Sequence, residues 1–345
     1  MRFDHTAIAS LASELPDEIW TSASIEERLS PLYERLRLPA GRLELMTGIR
    51  ERRFWSRPMR PSEASALAGK KALGRAGVGA DGIDLLIHAG VCRDRLEPST
   101  AAYVHHLLGM PPTAQFLDVS NACLGFLNAV VLAAGLVESG QIRQALVCSG
   151  ENGRPLVEST IAALNGGGHD RNSIKPYFAN LTIGAGAAAA VVCHDSLAPS
   201  AAPRLLGGAA RVDSGACALC EGDAGGDGAL VMRTDSERLL EAGVALAAGT
   251  WADFGRELGW GPRTPSLVVT HQVGVRHSRL LFGRLGLPPE RDWRSFEFLG
   301  NVGSVSLPAT LSLAMDAGAA PPGAQAALLG IGSGLASCML GLRFP

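Results

Sequence analysis

The stretch DVSNACLGF, residues 118–126, decides how the rest of the chain is read. It joins a β-prone run, QFLDVS (115–120), to LGFLNAVVLAAGLVESG (124–140), which carries no charge before Glu138. Cys123 therefore falls where a strand gives way to a helix. A free cysteine usually behaves as a small buried hydrophobe. A helix N-terminus tilts that balance, because its unpaired N–H groups and positive dipole end favour thiolate over thiol. The run from Val119 to Val137 is uncharged and nearly long enough to span a bilayer, but Ser120, Asn121 and Asn128 interrupt it and Gly125 and Gly135 weaken its helix propensity. A helix buried on all sides in a large layered protein fits it better. Such a helix needs layers on both faces.

Working outward, the bulk properties narrow the function classes. A length of 345 residues suggests about two domains. Lys plus Arg (31) nearly balances Asp plus Glu (33), so no strong field points to nucleic acid or an anionic membrane. Seven cysteines, an odd number scattered without framework spacing, argue for free thiols in a reducing, cytoplasmic setting. The opening MRFDHTAIASLASELPDEIW carries Arg2, Asp4, Glu14, Asp17 and Glu18, which break up any signal-peptide core.

Short apolar runs alternate with helical patterns, which reads as α/β. GIDLLIHAG (82–90), QFLDVS, QALVCSGE (144–151) and GAGAAAAVVCHD (184–195) are strands of a first half; PSLVVTHQ (265–272), AALLGIGSG (326–334) and ASCMLGLRF (336–344) belong to a second. PSEASALAGKKALGRAG (61–77) predicts a helix stopped at Gly77. The halves match in order: DLLIHAG with SLVVTHQ, ALVCSGE with ALLGIGSG, GAGAAAAVV with ASCMLGL. In each half a turn opens a helix between matched strands, SNACLGF in one and LGNVGSVSLPATLSLAM in the other, so Cys123 and Asn301 hold related positions. The expected division is 1–195 and 205–345, with a small-residue linker at 196–208. An excursion at 154–182, bearing Gly166-Gly167-Gly168, breaks the alternation and could cover a site.

A nucleophilic cysteine needs a base or cation nearby and donors for the oxyanion of a tetrahedral intermediate. His271 closes the apolar strand SLVVTHQ, and a polar residue at a strand's C-terminal end faces the crevice in open α/β sheets. Asn301 stands at the mouth of a helix, where an asparagine before a residue pair containing glycine also suits a plain turn. In the order ACLGF, THQVG, GNVGSVSLP and LLGIGSGL, the chain resembles the thiolase superfamily, in the branch with a Cys-His-Asn triad that includes β-ketoacyl-ACP synthase III. The likeness runs from TGIRERRFW (47–55) to the C-terminal strand. It implies a five-layered αβαβα thiolase fold of two pseudo-symmetric halves, with Cys123 as the acylated nucleophile and His271 and Asn301 beside the thioester oxygen and the enolate. It also implies an oxyanion hole from the backbone N–H groups of Cys123 and Ser333.

CRDRLEPSTAA (92–102) selects the branch. Where ketoacyl synthase III usually has an apolar residue before Pro-Ser, this chain has Glu97, and a carboxylate in an apolar tunnel is costly unless used or paired. With NACLGF, HQV, GNVGSVSLP and GIGSGL, the combination resembles the OleA acyl-CoA condensing enzymes of bacterial long-chain olefin synthesis. That resemblance implies a homodimer in which Glu97 crosses to the partner's site and deprotonates a second acyl-CoA. The plain alternative is a solvated acid paired with Arg93 or Arg95. Coenzyme A thioesters would be substrates, with no metal or other cofactor. Arg50, Arg52 and Arg53 are candidate contacts to the CoA phosphates, or a solvated basic loop. Two other functions stay open: decarboxylative condensation with a malonyl thioester, and a silent subunit of a heteromeric complex. Cys217 and Cys220 have CxxC spacing without a second pair, and His105-His106 and His169-Asp170 lack metal-ligand spacing; all six read as surface or packing residues.

Overall fold

The computed structural model describes residues 1–224 and 230–345. In chain order its strands are β1 (Thr6–Glu14), β2 (Glu18–Thr21), β3 (Glu51–Phe54), β4 (Leu85–Ala89), β5 (Gln115–Val119), β6 (Gln144–Asn152), β7 (Ala185–His194), β8 (Arg204–Val212), β9 (Cys220–Ala224), β10 (Leu230–Thr234), β11 (Leu267–Thr270), β12 (Gln325–Gly332) and β13 (Ala336–Arg343). Nine of them form one sheet in the order β11-β12-β13-β8-β1-β7-β6-β4-β5. The strand runs anticipated from apolar patterning are all present.

The mirror relation between halves is visible in the pairing. β4 runs parallel to β6, β6 antiparallel to β7, and β7 antiparallel to β1. Likewise β11 runs parallel to β12, β12 antiparallel to β13, and β13 antiparallel to β8. The halves meet edge to edge where the N-terminal segment runs antiparallel to β8, at Ala7 with Arg204 and at a bridge of Arg2 with Gly207. The fifth strand differs: β5 pairs with β4 over five positions, whereas its counterpart is a single bridge between Val268 and Asp292.

Side-chain alternation along the strands sorts the interior into layers. Leu85, Ile87, Val147, Ala188 and Ala190 share a buried cluster with Val269, Leu328 and Leu340, and with the two helices Gly125–Glu138 and Ser306–Asp316 between the halves. The alternate residues Leu86, Leu146, Ala187 and Ala189 face outward onto Ala64, Ala68 and Ala72 of the helix Pro61–Ala76. In the second half Val268, Ala327, Leu329 and Met339 face Trp251, Phe254, Leu281 and Phe282, on the helices Ser236–Leu258 and Val275–Leu285. Helix, sheet, helix, sheet, helix is the five-layered thiolase arrangement. Phe254 is fully buried there, so truncating it to alanine should cost about 3–5 kcal/mol.

Local signals explain the element ends. Pro61 sits in the first turn of its helix, Glu63 Oε2 accepts from Arg60 N at 2.8 Å, and Gly77 closes the helix at φ 67°, a left-handed cap that favours glycine.

Two expectations are corrected. The linker does not extend to 208: β8 starts at Arg204, and Gly207 and Gly208 let the strand pass tightly under Met1 and against Met339. The helix after Cys123 is not buried on all sides: Asn121, Asn128, Leu132 and Gly135 form a stripe that the chain leaves partly or fully uncovered, Leu132 being 39% exposed. That stripe continues the turn that follows β5, the sheet's open edge. The excursion folds as the helix Arg154–Asn165 and a 3₁₀ segment Lys175–Thr182. β10 lies on both, with Ser159 Oγ donating to Leu230 O at 2.7 Å and Asn180 Nδ2 to Met232 O at 3.0 Å.

Candidate active site

Cys123 stands two residues before the helix that begins at Gly125. The residue in front of it, Ala122, has φ 46°, a left-handed conformation that costs a non-glycine residue on the order of 1 kcal/mol and persists only where the surroundings impose it. The surroundings do so here. Leu124 N donates to Asn121 O at 2.9 Å, and Ser304 Oγ, from the second half, donates to Ala122 O at 2.6 Å. Gly125 is required next to that bond, since a Cβ would lie 3.0 Å from Ser304 Oγ.

The end of β12 closes on the same turn. A Cβ on Gly332 would sit 3.5 Å from Cys123 N and 3.3 Å from Leu124 N, and one on Gly330 would strike Leu124 and Leu127 at 2.5 and 2.6 Å. The glycines of GIGSG thus bring the Ser333 turn against the cysteine turn. His271 follows β11, one strand over, and its N–H donates to Leu329 O at 3.0 Å. Its side chain is buried and Nδ1 has no hydrogen-bond partner among the described residues.

Asn301 is fixed by its backbone, with N donating to Thr182 O at 2.9 Å and O accepting from Gly184 N at 2.8 Å. Its Oδ1 accepts from Gly303 N at 3.0 Å and Ser306 Oγ at 3.3 Å. With the acceptor end engaged, the amide NH2 is the end left to donate. The structure therefore brings the Cys123 turn, the Ser333 turn and the Asn301 loop into contact and sets His271 on the adjoining strand.

Electrostatically the site is neutral. Burial, with the carboxylate of Glu151 and the sulfur of Cys220 nearby, pushes the Cys123 thiol up to about 12. Burial, then His277, pushes His271 down to about 3. At neutral pH the pair is thiol and neutral imidazole. The expectation that the helix end would favour thiolate is overturned, because desolvation outweighs a dipole contribution of about 0.3–1 kcal/mol.

Two supporting residues were missed from sequence. Gln272 is buried, donates from Nε2 to Thr270 O at 2.8 Å, and accepts at Oε1 from Ser295 N (2.9 Å) and Phe296 N (3.1 Å). It ties the end of β11 to the short helix Phe296–Leu299 that leads to Asn301. Glu151, near the end of β6, is 3% exposed and accepts from Val91 N, Cys92 N and Ser304 N. A polar residue closing an apolar strand was the available signal, the one that identified His271.

The other candidates lie outside this cluster of turns, Cys220 excepted. Glu97 is exposed, in the loop between β4 and the helix Thr100–Leu107, and among the described residues it pairs with neither Arg93 nor Arg95. Arg50 is exposed. Arg52 is a correction: strand alternation in β3 turns it inward with Phe54, it is 0% exposed, and Nη1 donates to Ser22 Oγ at 3.1 Å, so it cannot meet a phosphate at the surface. Arg53 is half-buried and donates to Pro16 O at 3.2 Å. Cys217 and Cys220 are free thiols, and Cys220 Sγ lies 3.5 Å from Thr234 Oγ1. His5, His194 and Asp195 cluster at the N-terminal end of β1 and the C-terminal end of β7, where Arg204 already pairs with the carboxylate. No helix among the described residues is long and apolar enough to cross a membrane.

Residues 45–160 match the family "Thiolase, N-terminal domain", and residues 256–343 match "3-Oxoacyl-[acyl-carrier-protein (ACP)] synthase III C terminal". The chain is 36% identical, over 100% of both chains, to an acyl-CoA:acyl-CoA alkyltransferase of Shewanella oneidensis. It is 37% identical to an enzyme of the same description from Xanthomonas campestris, covering 97% of each. A cysteine-to-serine variant of the Xanthomonas campestris OleA with bound lauric acid and lauroyl-CoA superposes with a TM-score of 0.94, at 36% identity over 99% of this chain and 100% of that one. With this fold, this loop arrangement and this similarity over its whole length, the chain belongs to the OleA family of acyl-CoA:acyl-CoA alkyltransferases, acyltransferase condensing enzymes of the thiolase superfamily.

Proposed function

We propose that the protein joins two fatty acyl-CoA molecules head to head by non-decarboxylative Claisen condensation, supplying 2-alkyl-3-keto acids or their thioesters for long-chain olefin or β-lactone synthesis. The observation that carries this reading is the meeting of the Cys123, Ser333 and Asn301 turns beside His271, together with Glu97 on an exposed loop next to the open sheet edge. Family membership and the lauroyl-CoA complex of a relative support the substrate class.

Cys123 begins as a thiol. Its proton passes to neutral His271 as sulfur attacks the thioester carbonyl of the first acyl-CoA, and the oxyanion develops toward the N–H groups of Cys123 and Ser333. Collapse expels coenzyme A, which takes the proton, and leaves an acyl-cysteine. The second acyl-CoA has no carboxylate to lose, so its α-proton must be removed by a base. Glu97 of the partner subunit takes that proton, and His271 and the Asn301 amide donate to the enolate oxygen. The enolate carbon attacks the acyl-cysteine and the C–S bond to Cys123 breaks; the departing thiolate takes up a proton as Glu97 gives up the one it removed, through solvent, which returns both groups to their starting states. The β-ketoacyl thioester is then released or hydrolysed. No residue in this cycle calls for a metal or redox group.

Dimerisation is part of the proposal. β5 is an open sheet edge, and Leu96 (92% exposed), Val91 (52%), Leu107 (51%), Phe116 (45%) and Leu132 (39%) lie on or beside it and the uncovered stripe of the apolar helix. An edge strand flanked by exposed apolar residues is the feature a second copy covers. CoA phosphate contacts fall to Arg50 and Arg53, of which Arg50 is the freely exposed cation.

The second reading, condensation with a malonyl thioester, is favoured by the match of residues 256–343 to the ketoacyl synthase III model. Mass spectrometry of products from the purified protein with lauroyl-CoA alone separates the two. The doubled keto acid or its thioester is expected without added malonyl thioester. A requirement for malonyl-CoA, with release of carbon dioxide, would overturn the proposal.

A further inference from the structure

Glu151 accepts from three backbone N–H donors on loops of the site and, beside them, from the Cys92 thiol. Oε1 accepts from Val91 N at 2.8 Å and Ser304 N at 3.2 Å, and Oε2 accepts from Cys92 N at 2.9 Å. No cation pairs with it among the described residues. Only an acceptor-only group fits such a set, since glutamine would turn an NH2 against an N–H. Burial holds its carboxyl above the usual carboxylate range, against the N–H groups of Val91, Cys92 and Ser304 and the Cys92 thiol, which pull the other way. The neighbouring loops are shaped to admit it: a Cβ on Gly303, where φ is 54°, would approach Oε1 to 2.9 Å, and one on Gly90 to 3.4 Å.

The partners belong to two different loops. Ser304 adjoins Asn301 and, through Oγ, holds Ala122 beside Cys123. Val91 and Cys92 begin the loop that reaches Glu97 five residues later. The far side of that loop is anchored by Asp118 accepting from Thr100 N and Ala101 N at 2.8 Å each, and on the near side Asp94 accepts from Ser62 N at 2.9 Å. Between the anchors, residues 95–98 are exposed and carry the base.

We infer that Glu151 is a positioning residue that sets two active sites at once: the acylation turn of its own subunit through Ser304, and the Glu97 loop supplied to the partner's site through Val91 and Cys92. This rests on the reading of Glu97 as a base acting across the dimer. One carboxylate then couples acylation in one site to condensation in the other.

Heterodimers, isolated by co-expression with two affinity tags, test it, with acylation read as coenzyme A release in a single turnover of lauroyl-CoA and condensation as keto-product formation. In the first, a Glu151→Gln, Cys123→Ser subunit is paired with an unaltered one, so the remaining cysteine has an intact own-subunit setting and an altered partner loop. Acylation at the unaltered rate, condensation slowed at least about 10-fold and accumulation of acyl-enzyme are expected. In the second, a Glu151→Gln subunit is paired with Cys123→Ser; acylation should slow while condensation of the acyl-enzyme formed stays fast. A general loss of stability would move both steps together and would not follow the subunit that carries the change. Condensation at the unaltered rate in the first heterodimer overturns the inference. A third heterodimer, Glu97→Gln, Cys123→Ser with an unaltered subunit, separates the two ideas: if it stalls while the first does not, the role of Glu151 alone is wrong, and if it condenses normally, the reading of Glu97 across the dimer is wrong and this inference with it. Should Glu151→Gln fail to fold, Glu151→Asp keeps the charge, withdraws the oxygens, and is scored in the same way.

Discussion

In the first half a five-residue edge strand, β5, runs into the Cys123 turn; in the second, a single bridge between Val268 and Asp292 stands in its place ahead of Asn301. The turns that follow are held differently too. The Glu151 carboxylate accepts from the loop after β4 and reaches across to Ser304. The Gln272 amide accepts from Ser295 and Phe296 and stays within its own half. The duplicated frame is the same, and its edges have diverged. The first half keeps an open strand with exposed Phe116 on it, suited to a second subunit. The second half has shortened its edge and anchored the loop with buried hydrogen bonds.

The largest effect should come from the residues the two halves contribute to chemistry. Cys123→Ser should abolish the acyl adduct seen by intact-protein mass spectrometry, with thermal denaturation unchanged. His271→Ala and Asn301→Ala should each slow condensation by about 10²-fold or more, as loss of one oxyanion donor does. A normal rate in either removes that residue from the site and breaks the equivalence of the halves.

Next comes the buried anchor of the second half. Gln272→Ala strands two buried N–H donors, at a cost of about 1–3 kcal/mol for each such group. A lower melting temperature is expected, together with a condensation rate that falls less than in Asn301→Ala. If melting is unchanged, Gln272 does not hold the loop.

The smallest effect concerns the resting sulfur. With the Cys123 thiol near 12 and His271 near 3, the thiolate fraction rises about tenfold per pH unit up to about 12. Alkylation of Cys123 by iodoacetamide, followed by peptide mass spectrometry, should therefore climb steadily from pH 6 to 9. A flat rate over that range would mean a thiolate–imidazolium pair instead.

Much of this was legible in the sequence for physical reasons. Strands such as SLVVTHQ and ALVCSGE are continuous apolar runs because they are buried on both faces, and their order revealed the duplication before any pairing was known. Cys123 and His271 stood out as candidates because a polar residue at the end of such a run leads into the crevice, and Asn301 because it opens a helix at the position matched to Cys123. What escaped depends on partners distant in sequence. Arg52 is inside because β3 pairs with β2 in the register Arg52 to Trp20, which fixes the face it takes. Nothing in GIRERR states that register. Glu151 and Gln272 needed the loops they accept from, and the open stripe of the helix after Cys123 needed the edge of the sheet. The thiol's protonation was misread because burial depth is a tertiary property, whereas proximity to a helix end is local.

The division of labour between Cys123 and Glu97 is the central claim, and the most direct measurement is the fate of a Glu97→Gln enzyme given lauroyl-CoA alone. Coenzyme A release should proceed to one equivalent per Cys123, the lauroyl adduct should persist in the intact-mass spectrum, and keto product should fall by about 10²-fold or more, the scale of a lost general base. Product formed at the unaltered rate, with no accumulated adduct, would contradict the assignment of Glu97 as the base.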